Sequence, residues 1–238
     1  MKNWKIDFYN NYSKYFKREY TSTQYEKFIP YGRYILNLAF PPDKNIKILD
    51  LACGIGGYLK VIHDNGYTNI TGVDTSEEEI DFAYKNGLTS LIRNDIFSFL
   101  ENSSAMEFDI VLALDIIEHF EQEEVLQFMS EANRVLKPQG KLIIHTPNAE
   151  AIFGSKIRYA DFTHEVAFTQ NSIKQVCTFA GFKTVTSYED RPLLYSFLGF
   201  LRRIVWEVLC FQYRLLHAAE TGTFKVILSQ NFLTIAEK

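Results

Sequence analysis

The sequence predicts an α/β fold: a seven-stranded, mostly parallel sheet covered by helices on both faces. Three observations carry that expectation. Short, nearly unbroken apolar runs recur from Ile46 onward, amphipathic segments separate them, and two further strand-like runs follow near the end of the chain. At 238 residues and 47% hydrophobic content, the chain suits one core with elaborations better than two equal domains.

Residues 1–42 are read as an aromatic-rich helical cap. The first 40 residues hold seven of the 14 tyrosines, together with Trp4, Phe8, Phe16, Phe28 and Phe40. Phe8, Tyr12, Tyr15 and Phe16 fall at helical intervals, and packing of such faces on a core is favoured over ligand contact. Two prolines in "AFPPDKN" (39–45) then end any helix. Residues 43–150 form the expected core. Its strands are "IKILDL" (46–51), "NITGVD" (69–74), "TSLIRND" (89–95), "DIVLALD" (109–115) and "KLIIHTP" (141–147), with helices near 57–66, 76–86, 96–102 and 121–136. Residues 151–223 are expected to build an acceptor-binding or lid region, with a sixth strand in 180–189 and a long helix over 193–218. Residues 224–238 complete the sheet as one strand or a hairpin.

Composition excludes several classes. The net charge of −4 offers no basic surplus for a phosphate backbone, so nucleic acid is not an expected partner. Cys53, Cys177 and Cys210 are odd in number and lie in no metal-ligand spacing, and they read as reduced thiols. The first twenty residues lack the apolar core of a secretory leader, and a cytoplasmic location is the expectation.

"ILDLACGIGGYL" (48–59) reads as a strand, a glycine-rich turn and a helix start. Gly54 and Gly56 permit a tight turn and close approach of a ligand to backbone, with unpaired N–H groups at the helix start. A dinucleotide fingerprint laid on Gly54 and Gly56 fails at Leu59, although Ala52, Gly54 and Gly57 fit a loosened form. No P-loop pattern is present.

The stretch resembles the first motif of class I S-adenosylmethionine-dependent methyltransferases, D-x-G-x-G-x-G, with Asp50 at the acidic position and Ala52 replacing the first glycine. The resemblance continues through Asp74 at the end of the second strand, "RNDIF" (93–97) with Asp95, "FDIVLALDIIEHF" (108–120) and "RVLKPQGKLIIHTPN" (134–148). It implies a Rossmann-like fold, S-adenosyl-L-methionine as cofactor, and cofactor contacts from Asp50, Ala52, Gly54, Gly56, Asp74, Asp95 and Asp115. Asp74 takes the ribose hydroxyls in this reading, and Asp95 lies where the family's adenine-contacting acid lies. Simpler roles for the acids are a loop cap, a strand-end turn and a helix cap. Cys53 reads as a small buried residue.

Methyl transfer is an in-line displacement, so the protein aligns the nucleophile and, for a hydroxyl, removes its proton. His119 and His164 are the candidate catalytic residues. "DIIEH" brings Asp115, Glu118 and His119 to one face of a helical turn. A related grouping completed by a later histidine holds a divalent metal in some RNA 2′-O-methyltransferases. The net negative charge argues against an RNA acceptor, and no metal is expected here. His145 alternates into the sheet's packing, while His63 and His217 fall on helices away from the strand ends.

"DFTHEVAFT" (161–169) resembles an element of methyltransferases from bacterial surface-polysaccharide pathways. The expected acceptor is a small polar molecule such as a sugar or sugar nucleotide. A phenolic quinone precursor, a phosphate-type oxygen and a non-catalytic cofactor-binding protein are the alternatives. "LLYSFLGFLRRIVWEVLCFQYRLL" (193–216) carries a narrow polar stripe and a wide apolar face. That face could serve as a lid, a homodimer contact or a peripheral membrane contact.

Overall fold

A computed structural model describes Lys5, Phe8, residues 20–194 and residues 196–238. Trp4, Tyr12, Tyr15 and Phe16 of the expected aromatic helix lie outside the described residues.

Seven strands form one sheet: β1 (Ile48–Leu51), β2 (Ile70–Asp74), β3 (Leu91–Arg93), β4 (Phe108–Leu114), β5 (Leu136–Pro147), β6 (Thr184–Glu189) and β7 (Asn231–Glu237). Their order is β3-β2-β1-β4-β5-β7-β6. The first five are parallel, and β7 runs antiparallel between β5 and β6. This is the expected seven-stranded, mostly parallel sheet. The terminal hairpin is not formed. β7 already has β5 on one edge and β6 on the other, so no edge is left for a partner strand. Residues 224–230 run as a loop instead, fixed where Asn148 Nδ2 donates to the carbonyls of Ile227 and Ser229 at 2.8 and 2.9 Å.

The helices are α1 (Ile29–Ala39), α2 (Gly57–Asp64), α3 (Glu77–Lys85), α4 (Ile96–Asn102), α5 (Gln122–Val135), α6 (Gly154–Arg158), α7 (Gln170–Phe179) and α8 (Phe197–Thr221). Most begin on a side chain suited to the task. Ser76 caps α3, Asp95 caps α4, Thr169 caps α7, and Glu121 with Glu124 forms a capping box on α5. The sheet separates two apolar layers. One holds Leu51, Val111, Phe128 and Phe232 under α4, α5 and α7; the other holds Ile48, Ile62, Ile80 and Leu112 under α1, α2 and α3.

The described part of the cap packs on the second layer. Phe28 meets the Tyr58 ring edge-on at 5.0 Å, and the Tyr25 hydroxyl donates to the Ile55 carbonyl at 2.8 Å. α8 has the reverse arrangement. Its polar stripe turns to the body, where Arg214 pairs with Glu189 at 2.6 Å and Arg203 donates to the Pro192 carbonyl at 3.2 Å. Leu198, Val205, Val208 and Leu216 remain exposed. No helix among the described residues is long and apolar enough to cross a membrane.

Candidate active site

In an open α/β sheet, ligands bind beyond the strand ends where chain order reverses. That point lies here between β1 and β4. A cavity of about 700 Å³ opens there, lined by the loops after β1, β2, β3 and β4, by the cap, and by residues 157–164. Two residues beside the switch point hold left-handed backbone: Ala52 just after β1 (φ 58°) and Asp115 just after β4 (φ 56°). For alanine that conformation costs about 1–2 kcal/mol, and strain of this kind collects at ligand sites.

The glycine loop is shaped by backbone and held by one acid. Gly54 and Gly56 have φ of 55° and 71°. A Cβ on Gly54 would approach Glu79 Oε2 to 3.2 Å, and one on Gly56 would meet Leu88 Cδ1 at 2.8 Å. Gly54 lines the cavity, whereas Gly56 stands behind its wall. Asp74 Oδ2 accepts from the Gly54 amide and Oδ1 from the Ser76 amide, both at 2.8 Å. Asp74 therefore ties the end of β2 to the loop after β1 while lining the cavity. Asp95 also lines it, and its Oδ1 accepts from the amides of Phe97 and Ser98.

Asp50 is 2% exposed, and its Oδ2 finds no hydrogen-bond partner among the described residues. Burial, reinforced by the charge of Asp74, pushes its pKa up to about 8. Burial also carries the Cys53 thiol well above its usual value, which keeps it neutral, in line with its reading as a packing residue.

Under β4 and β5 the wall changes character. Asp115 Oδ1 meets His145 Nδ1 at 2.6 Å, and Asp190 approaches the other ring nitrogen at 3.4 Å. Burial alone would lower the His145 pKa, but these two carboxylates raise it to about 10. The turn Ile117–His119 and the segment 161–165 are joined by backbone, since the amides of Glu165 and Val166 donate to the Glu118 carbonyl at 2.7 and 3.1 Å. The rings of His119 and His164 consequently lie 4.7 Å apart. His119 Nδ1 is 2.8 Å from Thr163 Oγ1, and that hydroxyl donates to Asp161 Oδ1 at 2.6 Å. Burial lowers His119 to about 4, with His164 acting in the same direction. Glu118, 2% exposed, is pushed up to about 8 by burial and by Asp115.

Thus Asp50, Ala52, Gly54, Asp74, Asp95, Asp115, His119 and His164 line one cavity. His63 is half-exposed beside Asp64, and His217 bonds the Thr223 carbonyl on an exposed stretch of α8. Ile157, Asp161 and His164 line the cavity from the region expected to bind the acceptor, while no residue of α8 does. Sequence reasoning missed Glu79, which reaches the cavity from an acidic run that reads as an ordinary complement to a helix N-terminus. It also missed the Asp161–Thr163–His119 chain. The D-x-T-H spacing is its only trace in the sequence.

The family described as Methyltransferase domain matches residues 21–187. The chain belongs to that family. Among curated proteins it is 33% identical over 111 residues to a ubiquinone biosynthesis O-methyltransferase of Bartonella tribocorum, covering 45% of this chain and 43% of that one. An Actinobacillus pleuropneumoniae protein of the same name is also 33% identical, over 43% of this chain and 46% of its own length. The chain thus matches less than half the length of these relatives. Among solved structures, a SAM-dependent methyltransferase from Archaeoglobus fulgidus superposes with a TM-score of 0.66 at 18% identity, covering 98% of this chain and 100% of that one. Haemonchus contortus phosphoethanolamine N-methyltransferase 2 in complex with S-adenosyl-L-methionine gives 0.62 at 17% identity, over 87% and 52%. At these identities the structural likeness speaks for the fold, a Rossmann-like methyltransferase fold.

S-adenosyl-L-methionine is the cofactor of this methyltransferase, and the site fits it. Among the described residues, seven acidic side chains and one lysine line the cavity, and even with Asp50 and Glu118 neutral the acids outnumber the lysine. That balance suits a ligand carrying a sulfonium and an ammonium group and opposes the pyrophosphate of a dinucleotide. The orphaned Asp50 oxygen and the left-handed glycine loop provide an acceptor and a close backbone approach on the same side.

Proposed function

We propose that the protein transfers the methyl group of S-adenosylmethionine to an oxygen of a small polar acceptor, with a sugar or sugar-nucleotide hydroxyl of surface-polysaccharide biosynthesis as the leading class. The observation that carries this reading is the polar wall after β4 and β5, where Glu118, His119, Asp161 and His164 converge on the cavity. Such a wall can bond several hydroxyls. A prenylated phenol would need an apolar channel there.

The cofactor supplies a methyl group already activated on a sulfonium. Asp50, Gly54, Asp74, Asp95 and Asp115 hold it, and Gly56 keeps the loop turned. Asp74 does so partly through the Gly54 amide. His119 and His164 face the acceptor hydroxyl and orient it in line with the methyl. As the oxygen–carbon bond forms and the carbon–sulfur bond breaks, the hydroxyl proton passes to an imidazole, His164 being the first candidate. The products are a methyl ether, S-adenosylhomocysteine and a proton.

The acceptor class is tested by product formation over sugar nucleotides, catechols and phosphorylated metabolites. Turnover confined to catechols would replace the sugar by a phenolic quinone precursor, the reading that the names of the curated relatives favour. Turnover confined to phosphorylated metabolites would point to a phosphate-type oxygen. Cofactor binding with no turnover would make the protein a non-catalytic binder. A second copy of the chain or a lipid surface is the partner that would cover the outward apolar face of α8.

A further inference from the structure

We propose that two copies of this chain pair through α8, the helix of one lying antiparallel against the helix of the other about a two-fold axis. The inner side of α8 is already committed. Arg191, Arg203 and Arg214 stand around the Trp206 ring at 5.8–6.0 Å, Cys210 is buried, and Arg214 is held by Glu189. The opposite side faces outward. Leu198, Leu201, Val205, Val208 and Leu215 are 42–71% exposed there, and Gln212 and Ala219 are exposed between them.

These seven positions recur at alternating intervals of three and four along the helix. At about 100° per residue they make one stripe directed away from Cys210. An unbroken three–four spacing is the seam of a helix pair, whereas a lipid surface needs only a wide apolar face. Ile204, Phe211 and Leu216 stand exposed on its shoulders. The apolar surface left open on α8 is on the order of 1,000 Å², above the roughly 300–600 Å² of the largest patch on a typical monomer. It is enough for the roughly 800 Å² that each partner gives to a standard interface.

The orientation follows from the polar residues. In the antiparallel register that sets Leu201 against Ala219 and Val205 against Leu215, Val208 meets Gln212, and each layer joins a larger side chain to a smaller one. The two Gln212 amides then lie within reach of each other beside the two-fold axis, and one polar pair in an apolar seam fixes register. Arg202 and Glu220 are exposed and form no ion pair among the described residues. They are 18 positions apart, about five full turns, and so share one rim of the stripe. The same register brings Arg202 of each copy within about 3 Å, along the axis, of Glu220 of the other. The face is therefore complementary to its own two-fold copy. It suits an anionic bilayer poorly, because Arg203 and Arg214 are spent on Glu207 and Glu189 and the chain carries a net charge of −4. No residue of α8 lines the cavity, so the pairing does not rest on the acceptor reading.

The test is sedimentation equilibrium of the full chain, where a species of twice 27.7 kDa is expected. Val208→Asp puts a charge in the seam and should raise the dimer dissociation constant at least 100-fold. Its circular dichroism and cofactor affinity should match wild type, since Val208 is exposed in the single chain and remote from the cavity. Arg202→Glu and Glu220→Arg should each weaken the dimer about 3–10-fold, and the double exchange should restore it. A wild-type chain that stays monomeric at high concentration, or a dimer that Val208→Asp leaves intact, overturns the proposal. Co-flotation of a monomer with phosphatidylcholine–phosphatidylglycerol vesicles, lost in Val208→Asp, would give the face to lipid instead. A dimer split by Val208→Asp but unmoved by the rim charges would refute the antiparallel register. Should Val208→Asp not fold, the rim series decides alone: loss in both single variants with rescue in the double upholds the pairing, and no effect overturns it.

Discussion

Replacing His145 with glutamine should remove a pH-dependent share of the stability, and the structure sets its size. His145 is 6% exposed and lies 2.6 Å from Asp115 and 3.4 Å from Asp190. Its pKa is about 10, against 6.5 for an ordinary histidine. A group whose pKa rises on folding stabilises the native state fully below its unfolded pKa and loses that effect as pH climbs through the folded value. The gap, about 10 minus 6.5, is about 3.5 units, or about 5 kcal/mol at 1.36 kcal/mol per unit. The Asp115 side chain is 51% exposed, so solvent screens the main partner. A contribution of about 2–3 kcal/mol at pH 6.5 is the reasonable expectation. The assay is urea unfolding of wild type and His145→Gln at pH 6.5, 8, 9.5 and 10.5. Subtracting the two curves cancels the groups they share. The wild-type advantage should be largest at pH 6.5 and shrink to near its floor by pH 10.5. Cofactor affinity should fall as well, because His145 is what holds Asp115 at the cavity. A stability difference that is flat across this range would refute the charged-histidine account.

Other substitutions separate the roles of the remaining residues. Gly54→Val places a branched side chain at φ 55° against Glu79, and cofactor affinity by calorimetry should fall at least tenfold. Asp95→Ala removes the cap of α4, at a cost of about 1 kcal/mol, read as a lower melting temperature. A further loss of cofactor affinity would add an adenine contact to the cap. Asp74→Ala frees the Gly54 amide and should weaken the cofactor sharply; full affinity would dismiss the ribose assignment. For His164→Ala, turnover should drop by about 10²–10⁴-fold with cofactor affinity held within twofold. A rate that does not change with pH relative to wild type would reject the role as base.

The parallel core was legible because its signals are local and repeated. Each of β1 to β5 is an apolar run bounded by turn residues, and caps such as Ser76 and Asp95 stand where a helix must begin. The choice between one terminal strand and a hairpin stayed open for a non-local reason. Residues 224–230 have strand-like composition, but pairing needs a free edge, and which edges are free depends on where β6 and β7 land. The reversed α8 has the same origin. Which way its stripe of Arg203, Glu207 and Arg214 turns is set by Glu189, which β6 brings beneath it.

The cofactor half of the site was similarly open to reading, since Asp50, Gly54 and Asp74 are fixed by strand ends and a turn. The acceptor half was not, because its chemistry depends on bonds between distant segments. His119 and His164 are 45 positions apart and could each be named from a motif. Their shared environment follows from the Glu118 carbonyl binding the amides of Glu165 and Val166, and no spacing rule encodes that. Thr163 shows the difference most clearly. As a sequence letter it is a loop residue bonding its own backbone. In the fold its hydroxyl is committed to Asp161, which makes it an acceptor for His119 and so selects the tautomer of that ring. The direction of one threonine hydrogen thus determines which nitrogen His119 offers to the cavity.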